Sequence, residues 1–101
     1  MKLSSETPLV SVIILCYNQA TIIGRAIESV IGQTYQNIQL VIVDDCSKDN
    51  SRDVINNWAQ KYPGKIKIYF QPSNVGHPAN MNTGYRLSDG ELVTFCDGDD
   101  W

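Results

Sequence analysis

The stretches Val10-Ser11-Val12-Ile13-Ile14-Leu15 (VSVIIL) and Gln39-Leu40-Val41-Ile42-Val43 (QLVIV) decide the fold. Both are near-continuous runs of Val, Ile and Leu, the pattern of strands covered on both faces in a parallel sheet. Two further β-rich runs follow, 66–70 (IKIYF) and 92–96 (LVTFC). Between the runs the period changes from that of a strand to that of a helix. Ile22, Ile23, Ala26, Ile27, Val30 and Ile31 recur at i, i+3, i+4 behind Thr21 as N-cap, with Gly32 as terminator. Val54, Ile55, Trp58, Ala59 and Tyr62 repeat the stripe after a cap among Ser47, Asp49 and Asn50, and Pro63-Gly64 ends it. A third helix near 78–88 is weaker, with Ala79, Met81, Tyr85 and Leu87 filling part of a stripe before Asp89-Gly90. Four strands alternating with three helices predict an α/β fold, a mostly parallel sheet flanked by helices and joined by right-handed crossovers.

The 101 residues make one domain at most, here a short tail over 1–7 and a folded unit over 8–101. Eight Lys and Arg against eleven Asp and Glu leave a net charge of −3, which excludes a basic nucleic-acid-binding face. The longest apolar run is far short of the roughly 20 residues of a membrane span. The start, Met1 to Glu6, lacks the apolar core of a signal peptide. Cys16, Cys46 and Cys96 are odd in number and lack C-x-x-C spacing, so they read as reduced, small buried residues rather than disulfide or zinc ligands.

In open α/β sheets ligands bind beyond the carboxyl ends of the strands. The residues there are Cys16, Tyr17, Asn18 and Gln19; then Asp44, Asp45, Cys46 and Ser47; then Gln71 to Gly76; then Asp97, Gly98, Asp99, Asp100 and Trp101. Five of the eleven acidic residues thus stand at two strand ends that parallel pairing is expected to bring close together. Unit charges about 4 Å apart repel by about 4 kcal/mol at an effective dielectric near 20, so a cation or shifted pKa values must compensate. Asp97, Asp99 and Asp100 offer hard oxygen donors suited to Mg²⁺ or Mn²⁺, and an acidic site short of Lys and Arg implies a phosphate-bearing ligand that arrives with its metal. Asp44 and Asp45 could cap the second helix, but Asp49 and Ser51 are better placed to do so. That leaves Asp44 and Asp45 free to accept from a base N–H or ribose hydroxyls, beside Tyr17 as a stacking face. His77, at the start of the third helix, reads as a cap or an exposed residue. Neither G-x-G-x-x-G nor a P-loop is present.

Three ordered stretches, Val10 through Asn18 (VSVIILCYN), Ile27 through Tyr35 (IESVIGQTY) and Val41 through Ser51 (VIVDDCSKDNS), resemble the start of family 2 glycosyltransferases, and Phe95-Cys96-Asp97-Gly98-Asp99-Asp100-Trp101 is similar to that family's DXD motif. The resemblance implies the GT-A fold, a Rossmann-like nucleotide-binding half joined to an acceptor-binding half, of which this chain is the N-terminal part. It implies inverting, hexosyltransferase-type transfer from a nucleotide diphosphate-sugar, with UDP-sugars favoured, to a saccharide, lipid or protein hydroxyl, with Mn²⁺ or Mg²⁺. Carried over by residue, Tyr17 packs on the base, Asp45 hydrogen-bonds it, and Asn18 and Asp44 stand nearby. Asp97 faces ribose or sugar, and Asp99 with Asp100 holds the metal. The segment Asn74 to Gly84 is similar to the family's N-x-G-x-x-x-A-R-N-x-G. Asn82 is kept as a substrate contact, while Asn80 stands for Ala and Met81 for Arg. Family domains run to about twice this length, so the general base is expected beyond Trp101 and residues 1–101 alone are expected to be inactive. The cytoplasmic side, near a membrane face, is the expected location. The competing readings are a phosphoacceptor receiver domain, opposed by Tyr17-Asn18 where an acidic pair should stand, and a non-catalytic nucleotide-binding or interaction module of the same fold.

Overall fold

The computed structural model describes residues 8–32 and 37–97, so the expected tail 1–7, the Gln33-Thr34-Tyr35 part of the second stretch and the Gly98-Asp99-Asp100-Trp101 part of the last motif lie outside the described residues. The elements are β1 (Val10–Cys16), α1 (Ala20–Ile31), β2 (Ile38–Asp44), α2 (Ser51–Lys61), β3 (Ile66–Phe70), α3 (His77–Leu87) and β4 (Leu92–Asp97). All pairings are parallel and the strand order is β3-β2-β1-β4. The two uninterrupted apolar strands are therefore the central ones. The chain runs outward from β1 to β3, then crosses back to lay β4 on the other side of β1.

Each central strand feeds two cores. Val12, Ile14 and Cys16 of β1 and Leu40 and Ile42 of β2 point to one face, where they pack with Ile23, Ala26, Ile27 and Val30 of α1 and Ile55 of α2. The alternate residues Ile13, Leu15, Val41 and Val43 point to the other face, covered by Met81 and Leu87 of α3 and by Val93. This explains why the runs are continuous, since both sides of the pleat are out of water. The edge strand β3 does alternate, with Ile66, Ile68 and Phe70 half-buried and Lys67 and Tyr69 exposed. Gly84 brings α3 close to β1: a Cβ there would lie 2.5 Å from Ile13 Cγ2.

Two expectations are corrected. Thr21 is not the cap of α1, which begins at Ala20 after Gln19 with Thr21 exposed in the first turn. The N–H groups of Gln19 and Ala20 instead donate to Ser51 Oγ at 3.0 Å and Asp49 Oδ2 at 3.2 Å, so side chains 29 and more residues away satisfy the helix start. The acidic ends of β2 and β4 are not neighbours either. β1 lies between them, pairing Cys16 with Asp44 and Leu15 with Asp97, which sets the two strands about 10 Å apart. Their close mutual repulsion is removed by topology. Among the described residues no helix is long and apolar enough to cross a membrane.

Candidate functional site

The reversal of strand order at β1 opens a crevice at the carboxyl ends of the strands, where doubly wound sheets bind ligands. A cleft of about 490 Å³ occupies it, lined by Leu15, Cys16, Tyr17 and Gln19 from β1 and its loop, Asp45 after β2, and Asn74, His77 and Asn80 around the start of α3. Tyr17 is 42% exposed, which leaves a ring face open to the cleft.

Two tight turns shape the wall. Asn18 (φ 51°) and Cys46 (φ 59°) both adopt left-handed backbone, tolerated more readily by Asn than by most side chains. The Asn18 turn is tied to the β2–α2 loop: its N–H donates to Ser47 Oγ at 2.9 Å, and its Oδ1 accepts from the Lys48 N–H at 2.7 Å. Asn18 is thus a fastener between the loops that carry Tyr17 and Asp45, exposed but outside the cleft lining.

The paired aspartates divide their work. Asp44 is 0% exposed; it falls on the Leu40 and Ile42 side of β2 and points into the protein. Its carboxylate accepts from the Ser47 N–H at 2.9 Å and from the Ser47 hydroxyl, and Arg52 Nε stands 3.6 Å away. Arg52 is itself held by Nη2 donating to the Gln71 carbonyl at 3.3 Å and by stacking its guanidinium 5.2 Å above Phe70. Asp44 therefore pins the loop between β2 and α2 and leaves the helix start to Asp49, and its charge is balanced inside the fold rather than offered to a ligand. Asp49 also acts as expected: the Ser51 hydroxyl and N–H and the Ala20 N–H outweigh burial and hold its carboxyl below the ordinary value.

Asp45 is 6% exposed yet borders the cleft. Oδ1 accepts from the Val75 N–H at 2.7 Å and Oδ2 from the Gly76 N–H at 3.1 Å, so the β3–α3 loop clamps the carboxylate in one orientation. Each oxygen keeps a further lone pair for a ligand. Gly76, at φ 90°, permits the turn that aims these two N–H groups. Beneath the cleft, burial pushes the Cys16 thiol up to about 11, with the charge of Asp44 adding to the effect and a hydrogen bond with Ser51 opposing it. The thiol is neutral packing material.

On α3, Met81 packs into the Ile13 and Leu15 core, so the position read as Arg in the family pattern carries an apolar anchor here. Asn82 is exposed and outside the cleft lining. Asn80, one turn into α3, does line it. Sequence reasoning noted Asn80 only as a departure from a pattern; its pairing with Gln71 is long-range and had no local signal. His77 is exposed at the cleft mouth, as expected. Gln19 also lines the cleft, and its Oε1 is buried with no donor among the described residues. Asp97 closes β4 opposite Leu15, a cleft residue, so the acidic run Asp97-Gly98-Asp99-Asp100 begins on the cleft's β4 side. Among the described residues no group of three or more His, Cys, Asp or Glu could hold a metal.

A parallel sheet between two helical layers, with a cleft at its switch point, defines a doubly wound α/β protein of the kind that binds ligands at the strand ends. The family model for glycosyl transferase family 2 matches residues 11–101, and the chain belongs to that family. It is 50% identical over 91 residues to an uncharacterized glycosyltransferase of Nostoc sp., covering 90% of this chain and 28% of that protein. It is 39% identical over 94 residues to an uncharacterized glycosyltransferase of Haemophilus influenzae, covering 93% of this chain and 37% of that protein. Among solved structures, the mannosyltransferase PcManGT of Pyrobaculum calidifontis, in complex with GDP-Man and Mn²⁺, superposes with a TM-score of 0.87 at 28% identity, over 94% of this chain and 28% of that one. Residues 1–349 of S. aureus TarS in complex with UDP-GlcNAc superpose with a TM-score of 0.82 at 29% identity, over 90% of this chain and 26% of that one. The fold is that of the GT-A glycosyltransferases, and the chain matches the N-terminal part of those proteins. It spans 28% to 37% of the length of these two curated relatives.

Proposed function

We propose that this chain is the donor-binding half of an inverting glycosyltransferase that moves a hexose from a nucleotide diphosphate-sugar to an acceptor hydroxyl. The observation that carries the reading is the cleft itself, with the open ring of Tyr17 and the clamped carboxylate of Asp45 in one wall. An aromatic face stacks on any base, and a fixed carboxylate accepts from a ring N–H. Asn18 and Asp44 act one step back, by holding the two loops in register. Neighbours of the same fold bound to GDP-Man and UDP-GlcNAc support a nucleotide-sugar donor.

The described cleft lining contains neither Lys nor Arg, so nothing in it balances a diphosphate. In sequence, hard oxygen donors follow Asp97, the residue that ends β4, and their chemistry fits Mn²⁺ or Mg²⁺. Asp99 with Asp100 would hold the ion and Asp97 would face the ribose or sugar. When bound, the metal supplies positive charge against the diphosphate leaving group. A general base within reach of the acceptor hydroxyl is required for transfer. Each carboxylate placed at the cleft is already assigned to base, ribose or metal in this reading, so the general base is expected from residues other than these and residues 1–101 alone are expected not to catalyse transfer.

The test is titration calorimetry of UDP, GDP, UDP-GlcNAc and GDP-Man in Mn²⁺ and in EDTA. Nucleotide binding that tightens in Mn²⁺ is the expected result. Equal affinity in both buffers rejects the metal-assisted reading, and binding of none rejects the donor site.

A further inference from the structure

We propose that Asn80 reads the base of the bound nucleotide. Its amide donates to a ring carbonyl, and with Asp45 as the neighbouring acceptor it selects the edge on which a ring N–H stands beside a C=O. Uracil and guanine have that edge; cytosine and adenine present an acceptor nitrogen beside an amino group. The inference rests on the donor-site reading above.

The orientation of Asn80 follows from a chain of buried hydrogen bonds. Thr83 Oγ1 lies 3.0 Å from the Ala79 carbonyl, which can only accept, so the Thr83 proton points there. Thr83 Oγ1 must then accept from the Gln71 end group 3.1 Å away, which makes that atom Nε2. The second proton of Nε2 faces Asn80 at 3.1 Å, and that atom must be the acceptor Oδ1. The Asn80 Nδ2, with two protons, is thereby turned away from Gln71. Asn80 is 4% exposed and Gln71 6%, and the face that Asn80 shows is part of the cleft lining. With Oδ1 taken by Gln71, the amide nitrogen is the end of the Asn80 side chain left to meet a ligand oxygen at the cleft.

The same cleft lacks a donor where the family pattern places one. Met81 stands for the Arg of that pattern and is consumed by the core beneath α3. Asn80, in place of a small Ala, puts an amide one residue earlier. Its partner Gln71 is anchored in turn, since its backbone N–H donates to the Asp44 carbonyl at 2.8 Å just before Asp45. One polar frame thus carries both the donor and the acceptor that face the ligand.

The experiment measures Kd for UDP, GDP, CDP and ADP in Mn²⁺ with the wild-type protein and with Asn80→Ala, Asn80→Asp and Gln71→Met. Wild type is expected to prefer UDP or GDP. Asn80→Ala carries the residue of the family pattern and is expected to fold; it should weaken the preferred nucleotide about tenfold and leave CDP unchanged, as for the loss of one buried hydrogen bond. Asn80→Asp offers only an acceptor and should move the ranking toward CDP. Gln71→Met frees the Asn80 amide to rotate and should blur the ranking, a readout that a merely structural role would not move. If Asn80→Ala keeps the wild-type ranking, or weakens all four nucleotides equally, the proposal is overturned while the donor site stands. Failure of wild type to bind any of them overturns both.

Discussion

The two faces of the sheet are built for different work. On one, Val12, Ile14, Leu40 and Ile42 meet two helices in a deep core with ten buried hydrophobic residues. On the other, four buried strand residues meet α3 alone, and that helix both packs against β1 through Gly84 and carries Asn80 at the cleft. Stability on the first face comes from volume filled; on the second it depends on close approach and on the frame of Gln71, Asn80 and Thr83. A face that must present polar atoms to a ligand cannot also be filled with side chains, so binding is concentrated where the core is thinner.

The largest effect should come from the deep core. Ile42→Ala leaves a cavity between β2 and the helices and should cost about 2–5 kcal/mol in urea unfolding, while nucleotide affinity of the folded protein stays the same. Loss of base discrimination without loss of fold in this variant would collapse the division between the faces. Gly84→Ala sharpens the contrast from the other side. Forcing a methyl against Ile13 should cost about 1–3 kcal/mol despite the better helix propensity of Ala. Combined with Ile13→Ala it should be markedly less than additive, because the truncated side chain vacates the position the methyl needs. Strict additivity in that double-mutant cycle would show that the close approach is not what Gly84 provides.

A smaller effect is expected at Asp45. Asp45→Asn keeps the shape but turns a charged acceptor of two N–H groups into an amide that can satisfy only one of them; calorimetry should show about a tenfold loss of UDP or GDP affinity, the scale of one charge-assisted hydrogen bond. A further effect concerns pH. The Cys16 pKa is raised from 9.0 to about 11 in the folded state, so the folded protein holds its proton longer than the unfolded chain does. The stabilisation is complete below about pH 9 and is lost as pH rises toward about 11. Melting curves should show the decline in wild type and a shallower one in Cys16→Ala. Identical slopes would mean that the thiol is not sealed by the deep core.

Much of this was readable in advance from local patterns. Continuous Val, Ile and Leu over residues 10–15 and 39–43 marked two strands buried on both faces, because the period of a side chain in a strand reports directly on which faces are dry, whereas the edge position of β3 came from the strand order. The order of strands and helices by itself puts Tyr17 and Asp45 at one end of the sheet. The tertiary structure alone decided which member of an acidic pair faces inward, since Asp44 is neutralised by Arg52 and Ser47 across a loop while Asp45 is clamped by N–H groups some 30 residues on. It also decided that β1 separates the acidic strand ends, and that Gln71 turns the Asn80 amide toward the cleft. Hydrophobic period is a property of neighbours in the chain; the partner of a buried polar atom is chosen by whichever group the fold carries within hydrogen-bond reach, and that distance in space has no counterpart in sequence spacing.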